Sequence, residues 1–162
     1  MYKVVAKNAD VKLYVDAPVF KLVDIPFVKP EWQTCRKIKA LAYVAGSDSL
    51  HSPALAALDE WYQKDKDDFR KIIEGLRFLA EHKRFVVDGH HFRDSKHNPD
   101  VYEVRAYGGG EARLTFFLDG EDLVICAFPF DKDQGKDAQT ELFSKTTRIM
   151  DLYFAYKKGQ EK

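Results

Sequence analysis

Cysteine is scarce in this chain. Cys35 and Cys126 are the only two among 162 residues, and no motif surrounds either of them. That excludes a disulfide-stapled scaffold, and both thiols are expected to be reduced and buried, as in a cytoplasmic protein. Long apolar runs are missing as well. None approaches about 18 residues, so no membrane-spanning helix is expected, and the opening Met1-Tyr-Lys-Val-Val lacks the apolar core of a secretory leader. An excess of either charge is also missing, with 26 Lys and Arg balanced by 26 Asp and Glu. Nucleic-acid binders are usually visibly basic, so RNA binding would require positive charge concentrated locally.

Several chemical signatures are absent. No serine or cysteine sits in a recognisable nucleophile elbow, and Gly108-Gly-Gly110 is not a phosphate loop, because no Lys-Ser or Lys-Thr pair and no helix follows it. Asp88, His90, His91, Asp94 and His97 fit no established metal-ligand spacing. No metal and no cofactor are therefore expected, although these histidines could move protons near neutral pH. There is no internal repeat and no low-complexity tract.

What is present suits one domain of ordinary globular composition, 45% hydrophobic and 14% aromatic. Tyr2–Ala6 and Val11–Val15 flank a polar turn and read as a hairpin. The run Val19–Val28, broken by Pro26, is confined to an edge or irregular position. Residues 1–34 thus form a strand-rich N-terminal extension to a domain spanning 35–162. Ile38–Val44 reads as a strand. Ser52-Pro53 is a strong helix start, giving one helix to about Gln63 and, after the break at Lys64–Asp68, a second to about Lys83. Its stripe of Phe69, Ile72, Ile73, Leu76, Leu79 and Ala80 is one-sided, so the pair reads as a helical hairpin. A polar, turn-rich stretch follows to Asp100. The last helix carries Ala138, Leu142, Ile149, Leu152, Tyr153 and Tyr156 along one side.

Between these lie Val101–Arg105, Ala112–Leu118 and Leu123–Phe128, which read as three antiparallel strands. If Gly108–Gly110 is a three-residue loop, Arg105 pairs with Arg113 across the ladder. If Asp119-Gly120 is a two-residue turn, Arg113 pairs with Cys126. One face then carries Val104, Ala106, Leu114, Phe116, Leu123, Ile125 and Ala127. The other carries Glu103, Arg105, Tyr107, Arg113, Thr115, Phe117, Cys126 and Phe128. Opposed like charges are destabilising, so the arginine pair requires either an anion such as an RNA phosphate or neutralisation by Glu103 and Glu111. A one-residue slip would put the two arginines on opposite faces.

The block Val101-Tyr-Glu-Val-Arg105, Ala112-Arg113-Leu-Thr-Phe-Phe, Val124-Ile-Cys-Ala-Phe-Pro-Phe130 and Asp131-Lys132, followed by a terminal helix, resembles the RelE/HigB toxin superfamily. The phage-derived HigB-like branch is the nearest in pattern, over residues 35–157. The resemblance implies an α+β fold: an antiparallel sheet of about four strands, a helical hairpin on one face, and a C-terminal helix. It implies a type II toxin that cuts messenger RNA on the ribosome, by attack of a ribose 2′-hydroxyl on its own 3′-phosphate without a metal. It also implies a small helix-turn-helix antitoxin as partner, with a homodimer left open. On this resemblance Arg105, Arg113 and Lys132 are the catalytic candidates, and Tyr107, Lys136, Lys96 and Arg93 the RNA contacts. Departures are visible: Val101 and Glu103 replace strand lysines, Asp131 and Asp133 flank Lys132, and Ala138 stands about where a catalytic tyrosine would. The competing expectation is a catalytically inactive interaction module on the same fold.

Overall fold

Three helices and seven strands form the described part of this α+β chain, with one mixed but mostly antiparallel sheet at its centre. The computed structural model describes residues 19–44, 50–87, 89, 91–131 and 136–160, without the side chains of 131 and 136–139. The hairpin expected over residues 2–15 lies outside that range. The strands are β1 (Val19–Asp24), β2 (Lys37–Val44), β3 (Leu50–His51), β4 (Phe92–Asp94), β5 (Val101–Arg105), β6 (Ala112–Asp119) and β7 (Leu123–Asp131). Their order is β1-β2-β7-β6-β5-β4, with β3 paired to the far end of β2. Only the β2–β7 contact is parallel.

The expectation of about four strands is too low. Short β3 and β4 lack the alternating apolar pattern that announces a strand, since β4 is only Phe92-Arg-Asp94. The proline-broken run does lie at a sheet edge, as β1. It belongs to the same sheet as the rest, and Phe20, Ile25 and Val28 are buried in its cores.

Helices α1 (Pro53–Lys64) and α2 (Lys66–Glu81) start and stop where their ends are chemically satisfied. Ser52 Oγ accepts the Leu55 amide at 3.4 Å, and Pro53 occupies the first turn. Asp65 ends α1 and caps α2, accepting from the Asp68 amide at 3.3 Å. Arg36, itself buried, closes the other end. Its guanidinium donates to the carbonyls of Leu79 (3.1 Å), His82 (2.5 Å) and Lys83, and its Nε to Glu121 O (3.0 Å). Gly75 lets α2 press on the sheet, because a Cβ there would meet Val104 Cγ2 at 2.4 Å.

Both faces of the sheet are covered. The helical hairpin packs on Ile38, Ala40, Val104, Leu114, Phe116, Val124 and Cys126. Helix α3 (Lys136–Gln160) lays Phe143, Ile149, Met150 and Tyr153 over Leu41, Val101, Phe117, Ile125 and Phe128. The second face is thus occupied by the C-terminal helix. The expected phase of β7 is also reversed. Leu118 faces Val124 and Asp119 faces Leu123, so the turn holds three residues, Gly120–Asp122, with Gly120 at φ +70°. This odd shift sends Ile125 and Ala127 to the α3 face and Cys126 to the hairpin face. A bulge at Thr115 then pairs Arg113 with Phe130, not with Cys126.

Candidate functional site: an arginine cluster at the sheet edge

The glycine loop behaves as the sequence predicts. Gly108 and Gly109 sit at φ +72° and +94°, the Ala106 amide donates to Ala112 O at 3.0 Å, and Arg105 faces Arg113 directly. One residue pair further along, Arg93 on β4 faces Glu103 on β5, which faces Thr115 on β6. Alternation along the strands therefore places Arg93, Arg105, Arg113 and Glu103 together on the α3 face.

Glu103 is the centre of this group. It is 0% exposed, and its Oε1 lies 3.6 Å from Arg113 Nε and 3.8 Å from Arg105 Nε. Arg113 is 3% exposed and donates Nη1 to the carbonyls of Gly110 (3.0 Å) and Ala112 (2.9 Å). Arg105 is half-buried; its Nη1 donates to Gly89 O, while its Nε has no hydrogen-bond partner among the described residues. Arg93 is exposed. Two guanidinium groups, those of Arg105 and Arg113, thus flank one buried carboxylate, and the exposed Arg93 is its register partner on β4. Burial first, and then the charge of Arg105, push Arg113 below its ordinary pKa; Glu103 and Asp68 pull it back up, and Arg93 pushes it further down. The net field is cationic, and an anion at Arg93 and Arg105 would relieve the repulsion.

A cavity of about 440 Å³ adjoins the cluster, lined by Gly89, Arg93, Lys96, His97, Thr140 and Phe143 among others. Gly89, whose carbonyl holds Arg105, ties the arginine to that cavity wall. Its charged lining is Arg93 and Lys96 against Asp94, with His97 beside them. The neutral chain is locally basic here.

The candidate residues are divided by this geometry. Arg93, Lys96, Arg105 and Arg113 share the α3 face or its cavity. Tyr107 does not. β5 ends at Arg105, and Tyr107 turns to α2, where its hydroxyl donates to Glu74 Oε2 at 3.0 Å and Lys71 Nζ lies 5.4 Å from its ring centre. Lys132 lies outside the described residues. Lys136 is the first residue of α3, with its side chain outside the description. Among the described residues, no three His, Cys, Asp or Glu side chains converge as metal ligands. Sequence reasoning missed His97, Thr140 and Phe143 as cavity lining; of the two glutamates expected to neutralise the arginine pair, Glu103 does lie between them, but fully buried rather than at the surface. The one available signal for Glu103 was its position between Tyr102 and Val104 in a strand.

Comparison with protein-family models, curated proteins and solved structures finds no match. No helix of the described residues is long and apolar enough to cross a membrane.

Proposed function

We propose that this chain is a cytoplasmic RNA endonuclease of the RelE/HigB toxin kind, which cuts messenger RNA on the ribosome and is held inactive by a small helix-turn-helix antitoxin. The observation that carries this reading is that Arg105 and Arg113 meet on a single buried carboxylate while Arg93, on the same face, lines the adjoining cavity with Lys96. In-line attack of a 2′-hydroxyl on its 3′-phosphate builds negative charge on the equatorial oxygens. Fixed guanidinium groups stabilise that charge more than the starting phosphate. Arg105 and Arg93 are placed to touch the phosphate. Arg113, itself buried, is a positioning residue that holds Glu103 and the Gly110 turn. Over 35–157 the order is two strands, the helical hairpin, four antiparallel strands and the terminal helix, which suits the α+β plan the resemblance implies.

Induced expression in bacteria tests the reading. Wild type should arrest growth and fragment messages, whereas Arg105→Ala and Arg93→Ala should each lose roughly 10²-fold or more in cleavage rate. Normal growth with intact messages, despite abundant folded wild type, would sink it. The second reading, an inactive interaction module, is favoured by the complete burial of Glu103, which neutralises part of the cluster. In that case the arginine variants and wild type would be equally harmless.

A further inference from the structure

The β4 edge has a second hollow, on the opposite face of the sheet from the arginine cavity. It encloses about 420 Å³ between α2 and the segment leading into β4, and its walls are Gly75, Phe78, Phe85, Val86 and Phe92. Glu74, Arg84 and His91 stand at its rim. Three of its apolar walls are aromatic and belong to a packed array. Phe85 lies edge-on to Phe92 at 5.2 Å and to Tyr102 at 5.3 Å, and Phe78 is stacked on His82 at 4.3 Å. These rings are therefore held before any ligand arrives. Yet Phe78 remains 40% exposed and Val86 73% exposed, which a core-closing role alone leaves unexplained.

The two hollows share one strap of chain. The His91 carbonyl accepts the Arg105 amide at 2.8 Å, so the residue at the rim of the aromatic hollow is bonded to the strand residue of the arginine cluster. Basic side chains mark the way between them, with Arg84 on the aromatic side and Arg93 and Lys96 on the other. Preset aromatic surfaces beside a cationic track are the two components by which proteins hold single-stranded nucleic acid.

We infer that the hollow of Phe78, Phe85 and Phe92 receives an unpaired base of the RNA strand whose phosphate lies at Arg93 and Arg105. The base stacks on a phenylalanine ring, and the backbone crosses the short β4 edge between the two faces. Gly75 closes the floor of the hollow by letting α2 lie directly on Val104. The inference rests on the RNA-directed reading of the arginine cluster, but not on cleavage.

Binding of fluorescein-labelled single-stranded RNA to the full chain tests it, comparing a short oligo-adenylate with an RNA of the same length lacking its bases. The adenylate should bind about tenfold more tightly, the size of one base stack. Phe78→Leu and Phe85→Leu keep the wall apolar but remove a ring, and each should shrink that ratio towards one. Arg93→Ala should weaken both RNAs alike and lower the salt dependence by about one phosphate contact. Base-dependent binding that both leucine variants weaken upholds the hollow, even where induced expression leaves messages intact and so removes the nuclease reading. Cleavage with equal affinity for the two RNAs, or a ratio unchanged by both leucine variants, overturns the inference and leaves the nuclease standing. No binding of either RNA at low salt overturns it as well. So does self-association that Phe78→Leu loosens without any base effect, since the occupant would then be a second copy of the chain.

Discussion

The two faces of the sheet are built to different rules. On the helical-hairpin face the core packed on the sheet is apolar, from Ile38 and Ala40 to Leu76, Leu79, Val104 and Phe116, and the buried Ser52, Asp68 and Arg36 serve the helix ends and loops. On the α3 face the apolar group of Phe117, Ile125, Phe143 and Ile149 borders a polar zone. There Glu103 and Arg113 are buried, and Thr115 Oγ1 accepts the Phe128 amide at 3.1 Å and meets Thr146 Oγ1 at 2.9 Å. Apolar packing gains stability with little dependence on direction. A buried ion cluster must repay its desolvation and gives little net stability in return. The first face therefore fixes the fold, and the second spends stability to hold guanidinium groups in a set arrangement.

The sharpest way to break this contrast is to remove its central carboxylate. Glu103→Ala strands Arg105 and Arg113, both at least half-buried, and should cost about 4 kcal/mol in urea unfolding. Pairing Glu103→Leu with Arg113→Met should cost much less than the sum of the two single changes. If the single and double changes simply add, the cluster is not a unit. On the other face, Leu76→Ala removes a fully buried side chain and should cost about 3 kcal/mol, with no coupling to Glu103.

Alkali separates the faces next. Cys126, on the hairpin face, has its thiol pushed up by burial from 9.0 to about 12. A group whose folded pKa is raised gives stability that is complete below its unfolded value and lost as pH rises towards its folded one. Unfolding free energy should thus fall by about 1.4 kcal/mol per pH unit above pH 9, and Cys126→Ala should flatten that slope. Tyr153, on the α3 face, is raised by burial and by its hydrogen bond with Asp119, so its share is lost only above pH 10. Slopes of wild type, Cys126→Ala and Tyr153→Phe across pH 8 to 11 resolve the two contributions. The smallest effect belongs to the rim. Lys157 bridges Asp119 at 2.8 Å from a half-exposed position, and Lys157→Ala should change stability by less than about 0.5 kcal/mol.

The legible parts of this molecule are those where local chemistry and tertiary structure agree. Ser52-Pro53 and the α2 stripe declared the hairpin. Three consecutive glycines declared a loop whose length fixed Arg105 against Arg113. The phase of β7 was not legible, because Asp119-Gly120 has the composition of a two-residue turn while Asp119 is retained in the ladder opposite Leu123. The bulge at Thr115 depends on a hydroxyl bonded to the neighbouring strand, and that shows only once the strands meet. Glu103 was legible as a neutraliser of the arginine pair but not as a buried group: a glutamate in an alternating strand reads as solvated, and Arg105 and Arg113 beside it make its burial tolerable. Tyr107 was placed with Arg105 by continuing an alternation that stops when β5 ends.

The parallel seam between β2 and β7 also sets an order in time. Lys37 has Leu123 as its register partner, and Arg36 bonds to the carbonyl of Glu121. During synthesis at roughly 5–20 residues per second, β2 waits about 4–17 s before its parallel neighbour exists. Through that interval it can pair only with β1 and the two-residue β3, and the apolar underside of α1 and α2 has no finished sheet to cover. The nascent chain is most exposed to misassociation just before its last three strands emerge. Closure of the seam then joins β2, and β1 with it, to the last strand β7.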